Sequence, residues 1–208
     1  MTLLVNNKNK LFFDKLDNDT TNLFNSQLLK QYKDRKPGFL ESLFGFKLNN
    51  DIFYDFSGYD DDIKHYGLND ECKNIIKLAK EYFTKSGINV DEYTGRLTFR
   101  KVYYNNSEIK SSEFMPHCDN EELIDTNTCI FYTQKDESLK KGNLCIYTDP
   151  SVSFSSFCNF FEEDPKPSVL PIETCSVVVF NGNFFHSPQE CGGTGYRNLV
   201  LVNLQTKK

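Results

Sequence analysis

Residues Phe114–Asn120 read Phe-Met-Pro-His-Cys-Asp-Asn, and inside them His117 and Asp119 are separated by one residue. In an extended segment, residues i and i+2 point to the same side. An imidazole and a carboxylate then converge on one point, two-thirds of a metal site. Cys118, between them, is expected to point away. A 2-His-1-carboxylate set leaves three positions of an octahedral iron open, and it needs one more histidine. The chain has three histidines in all, and the other two are His65 and His186. His186 follows Ser176–Phe180 (Ser-Val-Val-Val-Phe), a β-branched run that reads as a buried strand. It precedes Gly195–Leu204, a second strand with a single basic residue, Arg197, near its start.

Between these motifs lie Thr128–Thr133 (Thr-Cys-Ile-Phe-Tyr-Thr) and Gly142–Tyr147 (Gly-Asn-Leu-Cys-Ile-Tyr). Taken in order, the segments resemble those of the iron(II)- and 2-oxoglutarate-dependent oxygenases, especially the prolyl 4-hydroxylase-like branch. The resemblance spans Arg96 to Leu204. It implies a double-stranded β-helix, a cupin-like jelly roll with the metal at its open end. It implies that His117, Asp119 and His186 bind iron(II) and form the catalytic centre. Arg197, with Tyr132 and Tyr104, would bind the co-substrate 2-oxoglutarate; O2 is the second co-substrate and ascorbate the reductant. Arginine suits the role because it grips a carboxylate through two parallel hydrogen bonds, which lysine cannot do. Tyr103 points to the opposite face from Tyr104. Cys175 stands at a turn position where the family often has glycine.

The substrate implied is a peptide or protein, with a prolyl side chain as target. A hydroxylase of a free amino acid or small molecule stays open, as does a non-catalytic jelly-roll binding protein. Nucleic-acid demethylases of the superfamily carry a second arginine six residues after the first; here that position is Asn203. Asn203 lies on the Arg197 face of its strand and is a candidate substrate-pocket residue. Zinc is the competing metal, but it favours tetrahedral sites, often with cysteine or a third histidine.

With 208 residues the chain is long enough to bury a real core in one domain. A net charge of -5 argues against a dedicated nucleic-acid partner. The seven cysteines are odd in number and form no Cys-x-x-Cys pair, which disfavours a disulfide framework and points to a reducing cytosol. No apolar run approaches ~18 residues, and the N-terminal apolar run is too short for a signal peptide, so no membrane association is expected.

The whole chain reads as one domain of α+β class with a mainly β core. Residues 1–92 form an N-terminal helical layer with a supporting strand, and 93–206 the β-helix core. Asp19–Tyr32 has apolar residues at near-helical spacing, with Asp19 or Thr20 as cap. Lys36–Gly38 is a turn, Phe39–Phe46 a short helix or packed loop, and Asp51–Phe56 a strand. Tyr59–Asp62 is a solvated turn, and His65 beside it a surface histidine. Asn69–Gly87 is the clearest helix: Asn69 caps it, Asp70 and Glu71 suit its positive end, and Gly87 ends it. Strands are expected at Arg96–Tyr104, Thr126–Thr133, Asn143–Tyr147, Ser176–Phe180 and Tyr196–Leu204. Asp149–Pro167 lacks periodicity and is either a lid or a static excursion.

Overall fold

The computed structural model describes residues 3–6, 11–34, 51–59, 62–64, 68–88, 92–104, 116–119, 124–149, 151–152, 165–189 and 191–207. In chain order the elements are β1 (Leu3–Asn6), β2 (Leu11–Lys15), α1 (Asn18–Asp34), β3 (Ile52–Tyr59), β4 (Asp62–Lys64), α2 (Asp70–Lys85) and β5 (Glu92–Tyr104). There follow β6 (Ile124–Lys135), β7 (Lys140–Lys141), β8 (Leu144–Tyr147), β9 (Ser168–Leu170), β10 (Ser176–Asn181), β11 (Phe185–Pro188), β12 (Cys191–Gly192) and β13 (Gly195–Lys207). The turn at Lys36–Gly38, the segment Phe39–Phe46, His65 and most of Asp149–Pro167 lie outside the described residues.

An eight-stranded antiparallel sheet runs in the order β1-β2-β10-β6-β13-β5-β3-β4. A three-stranded sheet, β11-β8-β9, and a short pair, β12-β7, complete the strands described. The large sheet buries both faces at its centre, and the two-residue period sorts its side chains there. On β6, Cys129 and Phe131 pack with Phe24 and Leu28 of α1 and with Ile75, Ile76, Ala79 and Phe83 of α2. Their neighbours Ile130 and Tyr132 face the other way, onto Leu144 and Ile146 of β8 and Leu170 of β9. Val177 and Val179 of β10 point to the helices, Val178 and Phe180 to the small sheet. The result is a jelly-roll-like β-sandwich with helices on its outer face.

The described N-terminal part holds more strands than expected. Two helices are described, and four strands precede β5, where the sequence indicated one. Leu11, Phe12 and Phe13 of β2 alternate between the two cores, so this triple joins the sheet beside β10. The cap of α1 is Asp17, not Asp19 or Thr20. Its carboxylate accepts from the Thr20 N–H at 2.7 Å and from the Thr20 hydroxyl at 2.7 Å. α2 is as expected: the Asn69 side chain accepts from the Cys72 N–H at 2.8 Å, and Gly87 takes φ +79 just past the helix end. Tyr59 pairs with Asp62 in the β3–β4 ladder, and Asp60 and Asp61 of the expected acidic turn lie outside the described residues. Cys175 adopts φ +73, the left-handed conformation in which glycine carries no Cβ penalty.

The six cysteines among the described residues are free thiols. No described helix is long and apolar enough to cross a membrane.

The helix-side core fixes an alkaline limit to stability. Burial pushes the Cys72 thiol up to about 11 from its ordinary 9.0, and the Tyr82 hydroxyl up to about 12 from 10.0. Both groups are raised in the folded chain, so the unfolded chain loses these protons first. The stability they carry is complete below about pH 9 and is lost as pH rises towards 12. The urea midpoint should therefore fall between pH 8 and pH 10.5, with a shallower fall in Cys72→Ala. An equal fall in that variant would assign the alkaline limit to other groups.

Candidate metal centre

A single antiparallel bridge joins the two distant histidines. His117 N–H donates to the His186 carbonyl at 3.0 Å, and His186 N–H donates to the His117 carbonyl at 2.8 Å. The rings face each other with centroids 4.4 Å apart. His186 stands on β11, which β8 holds in register through its pairing with Ile146. Asp119 is anchored through its own N–H, which donates to the Gly182 carbonyl at 3.0 Å. Asp119 Oδ1 then lies 4.0 Å from His117 Nε2 and 3.8 Å from His186 Nε2. One donor atom from each residue falls within 4.8 Å of the others, a triangle that one ion can span. Cys118 is exposed.

The surroundings favour the ligand form of His186. His186 is buried, and its ring packs at a tilt against Phe180 with centroids 4.6 Å apart. Burial holds its imidazole below the ordinary histidine range, against the pull of Asp119, so the ring is neutral at pH 7. Its Nδ1 is 3.1 Å from the Phe184 carbonyl, which fixes the proton there and leaves Nε2 as the free lone pair. The His117 side chain is more than half exposed, so the site opens to solvent on that side. Two nitrogens and one carboxylate oxygen on one side suit a divalent iron and leave positions for exogenous ligands.

Arg197 supplies a different kind of evidence. It is 4% exposed, yet among the described residues no carboxylate pairs with it. Nη1 donates to the Gly142 carbonyl at 2.8 Å, and Nε has no partner. A buried guanidinium in that state carries an unrecovered desolvation cost, which an anionic ligand would offset. The guanidinium carbon is 5.3 Å from the Tyr104 ring and 5.8 Å from the Tyr132 ring. Burial raises both hydroxyls above the usual tyrosine range, with Arg197 opposing, so both remain protonated donors. These residues are therefore suited to an anion such as a carboxylate. Gly142 takes φ +73, and a Cβ there would collide with Cys191 Sγ, so only glycine presents its carbonyl to Arg197 in this way. A bulge in β6 sets the register: Asn198 pairs with Gln134 and Leu199 with Tyr132, which leaves Thr133 over and keeps Tyr132 on the Arg197 face. Tyr103 is 44% exposed whereas Tyr104 is buried, as their opposite faces require.

Sequence reasoning missed two residues here. Arg100 shares the two-residue period of Tyr104. Its charge acts on Asp119 and Tyr132, while its Nε donates to Asp51 at 2.9 Å. Thr128 lies within β6, the strand that carries Tyr132, and its hydroxyl donates to Asp119 Oδ2 at 2.5 Å. Asn203, expected in the substrate pocket, is half-buried, and its amide donates to Thr128 Oγ1 at 3.0 Å. The alternation on β5 was enough to find Arg100. Thr128 had no such signal, because its role depends on which strand lies opposite.

The chain matches no protein-family model and no curated protein. Among solved structures it is similar to a prolyl-4-hydroxylase of Pseudomonas putida, at 9% identity and a TM-score of 0.55, over 96% of this chain and 94% of that one. It is similar to IDO of Bacillus thuringiensis at 13% identity and a TM-score of 0.58, over 94% of this chain and 90% of that one. A prolyl 4-hydroxylase of Phytophthora capsici shares 12% identity with a TM-score of 0.55, over 95% of this chain and 59% of that one. The fold is thus that of prolyl 4-hydroxylases, and the likeness at these identities is one of fold.

Proposed function

We propose that this chain is an iron(II)- and 2-oxoglutarate-dependent oxygenase, built as one double-stranded β-helix domain, which hydroxylates a C–H bond of a peptidyl prolyl substrate. The observation that carries the reading is Arg197, a buried cation with an unpaired N–H and two neutral tyrosines beside it. A histidine–aspartate–histidine set on the same jelly roll supports it. A carboxylate of 2-oxoglutarate offers Arg197 the charge and the paired acceptors it lacks.

In this reading His117, Asp119 and His186 hold the metal. Iron with 2-oxoglutarate and O2 supplies the oxidising power that places one oxygen atom in the C–H bond, releasing succinate and CO2. The protein's own part is orientation and exclusion of water. Arg197 binds the distal carboxylate, and Tyr132 and Tyr104 donate hydroxyl hydrogens towards it. Leu199 and Leu201, on the same strand face, make the surroundings of Arg197 apolar along the strand. His186 Nδ1 keeps its proton on the Phe184 carbonyl, so its ring holds one orientation.

The peptidyl target is supported by the fold likeness to proteins named prolyl hydroxylases and by the acidic balance of the chain, which suits a basic protein better than a phosphate backbone. A reducing intracellular setting fits the free thiols. The test offers proline-containing peptides, free proline and methylated oligonucleotides under identical iron, 2-oxoglutarate and ascorbate conditions. Succinate release coupled to a peptide gaining one oxygen atom is expected. Product from free proline or oligonucleotide alone would overturn the peptidyl target and leave the oxygenase reading standing.

A further inference from the structure

We propose that Thr128 and Asn203 are positioning residues that hold Asp119 to single-oxygen metal ligation, an inference that rests on the metal-centre reading above. The hydrogen-bond directions fix the chain. An ionised carboxylate only accepts, so the Thr128 hydroxyl proton goes to Asp119 Oδ2, at 2.5 Å. That hydroxyl then accepts, and the Asn203 amide donates to it at 3.0 Å. Thr128 is 1% exposed, so water does not substitute for either partner. Asn203 and Thr128 are direct cross-strand partners on β13 and β6, so sheet register holds the two together.

The consequence for Asp119 follows from where its other atoms are held. Its N–H is fixed to the Gly182 carbonyl, and Oδ2 is fixed to Thr128. Rotation of the carboxylate is thereby restrained, with Oδ1 turned towards both histidine Nε2 atoms. Oδ2 reaches a metal only by giving up the Thr128 bond. A carboxylate ligating through both oxygens would take a position that exogenous ligands need. The threonine and asparagine therefore protect the open positions as well as orienting the ligand. This also assigns Asn203 a role at the metal, where its place on the Arg197 face had indicated the substrate pocket.

The test uses the whole chain and cobalt(II), whose visible absorption reports coordination without turnover. Calorimetric titration of wild type, Thr128→Val, Thr128→Ser and Asn203→Ala gives affinities, and far-ultraviolet circular dichroism confirms folding. Thr128→Val, which keeps the shape and removes the donor, should weaken cobalt(II) binding ~10–100-fold, the usual cost of losing an outer-shell partner, and should change the absorption bands. Thr128→Ser should restore both. Asn203→Ala, in which Thr128 keeps its own donor, should weaken binding less, and it serves as the test if Thr128→Val does not fold. Wild-type affinity and spectrum in Thr128→Val, or in Asn203→Ala where that stands alone, would overturn the proposal. So would a serine variant as weak as the valine one, since shape would then explain the loss. Absence of cobalt(II) binding by wild type would instead remove the metal-centre reading itself.

Discussion

Replacing His186 with alanine is expected to abolish tight iron(II) binding while the sandwich stays folded. His186 is the buried member of the triad; Phe184 holds its Nδ1–H, and its Nε2 lone pair lies 3.8 Å from Asp119 Oδ1, open to a metal. Its loss leaves one carboxylate and an exposed imidazole, a pair with little pre-organisation. The loss should exceed the ~10–100-fold that removal of an outer-shell partner costs, because a ligand itself is gone. The backbone bridge to His117 survives the substitution, since it uses main-chain atoms alone. The vacated volume borders Phe180, so a modest drop in melting temperature is expected with an unchanged circular dichroism spectrum. Anaerobic titration with iron(II) decides the matter. Wild-type affinity in the variant would remove His186 from the site.

Arg197→Leu should split ligand binding from fold stability. In wild type the guanidinium is buried with one carbonyl partner and an unpaired Nε. Removing a poorly compensated buried cation for a leucine is often neutral or stabilising. The variant without ligand should therefore melt at or above the wild-type temperature. With the cation gone, the 2-oxoglutarate carboxylate would lie beside Leu199 and two tyrosines with no positive partner. By comparison with other broken buried charge pairs, that costs roughly 2–5 kcal/mol. At about 1.4 kcal/mol per decade, the Kd rises from tens to thousands of fold. Thermal shifts with metal, with and without 2-oxoglutarate, read both effects at once. An undiminished shift in Arg197→Leu would refute the carboxylate role. A collapsed fold without ligand would show that the arginine is chiefly structural. Arg197→Lys keeps the charge but not the planar fork, and it should recover only part of the affinity.

What the sequence determined by itself was local. The two-residue period is a property of extended backbone, so Arg197, Leu199, Leu201 and Asn203 share a face whatever lies beside them. The same rule separates Tyr103 from Tyr104 and brings His117 alongside Asp119. Helix α2 was legible because its cap, its apolar stripe and its terminal glycine fall within one continuous stretch. Helix α1 was less so: Asp17 takes the cap because its carboxylate reaches the Thr20 N–H and hydroxyl, a choice among neighbouring acids that composition does not rank. β2 escaped notice because three consecutive apolar residues show no alternation when both faces of a strand are buried.

Tertiary structure alone decided which residues meet. His117 and His186 are distant in sequence and are joined by one bridge that no local pattern encodes. Thr128 reaches Asp119 and Asn203 only because β6 lies against β13 in one register; a slip of one residue would turn its hydroxyl to the helix side. That Arg197 meets no carboxylate among the described residues is likewise a property of the packed interior, since whether a buried cation finds one depends on every strand around it. Side-chain direction along a strand follows from covalent geometry. Register and proximity follow from the balance of non-local pairings, which no single stretch of this chain contains.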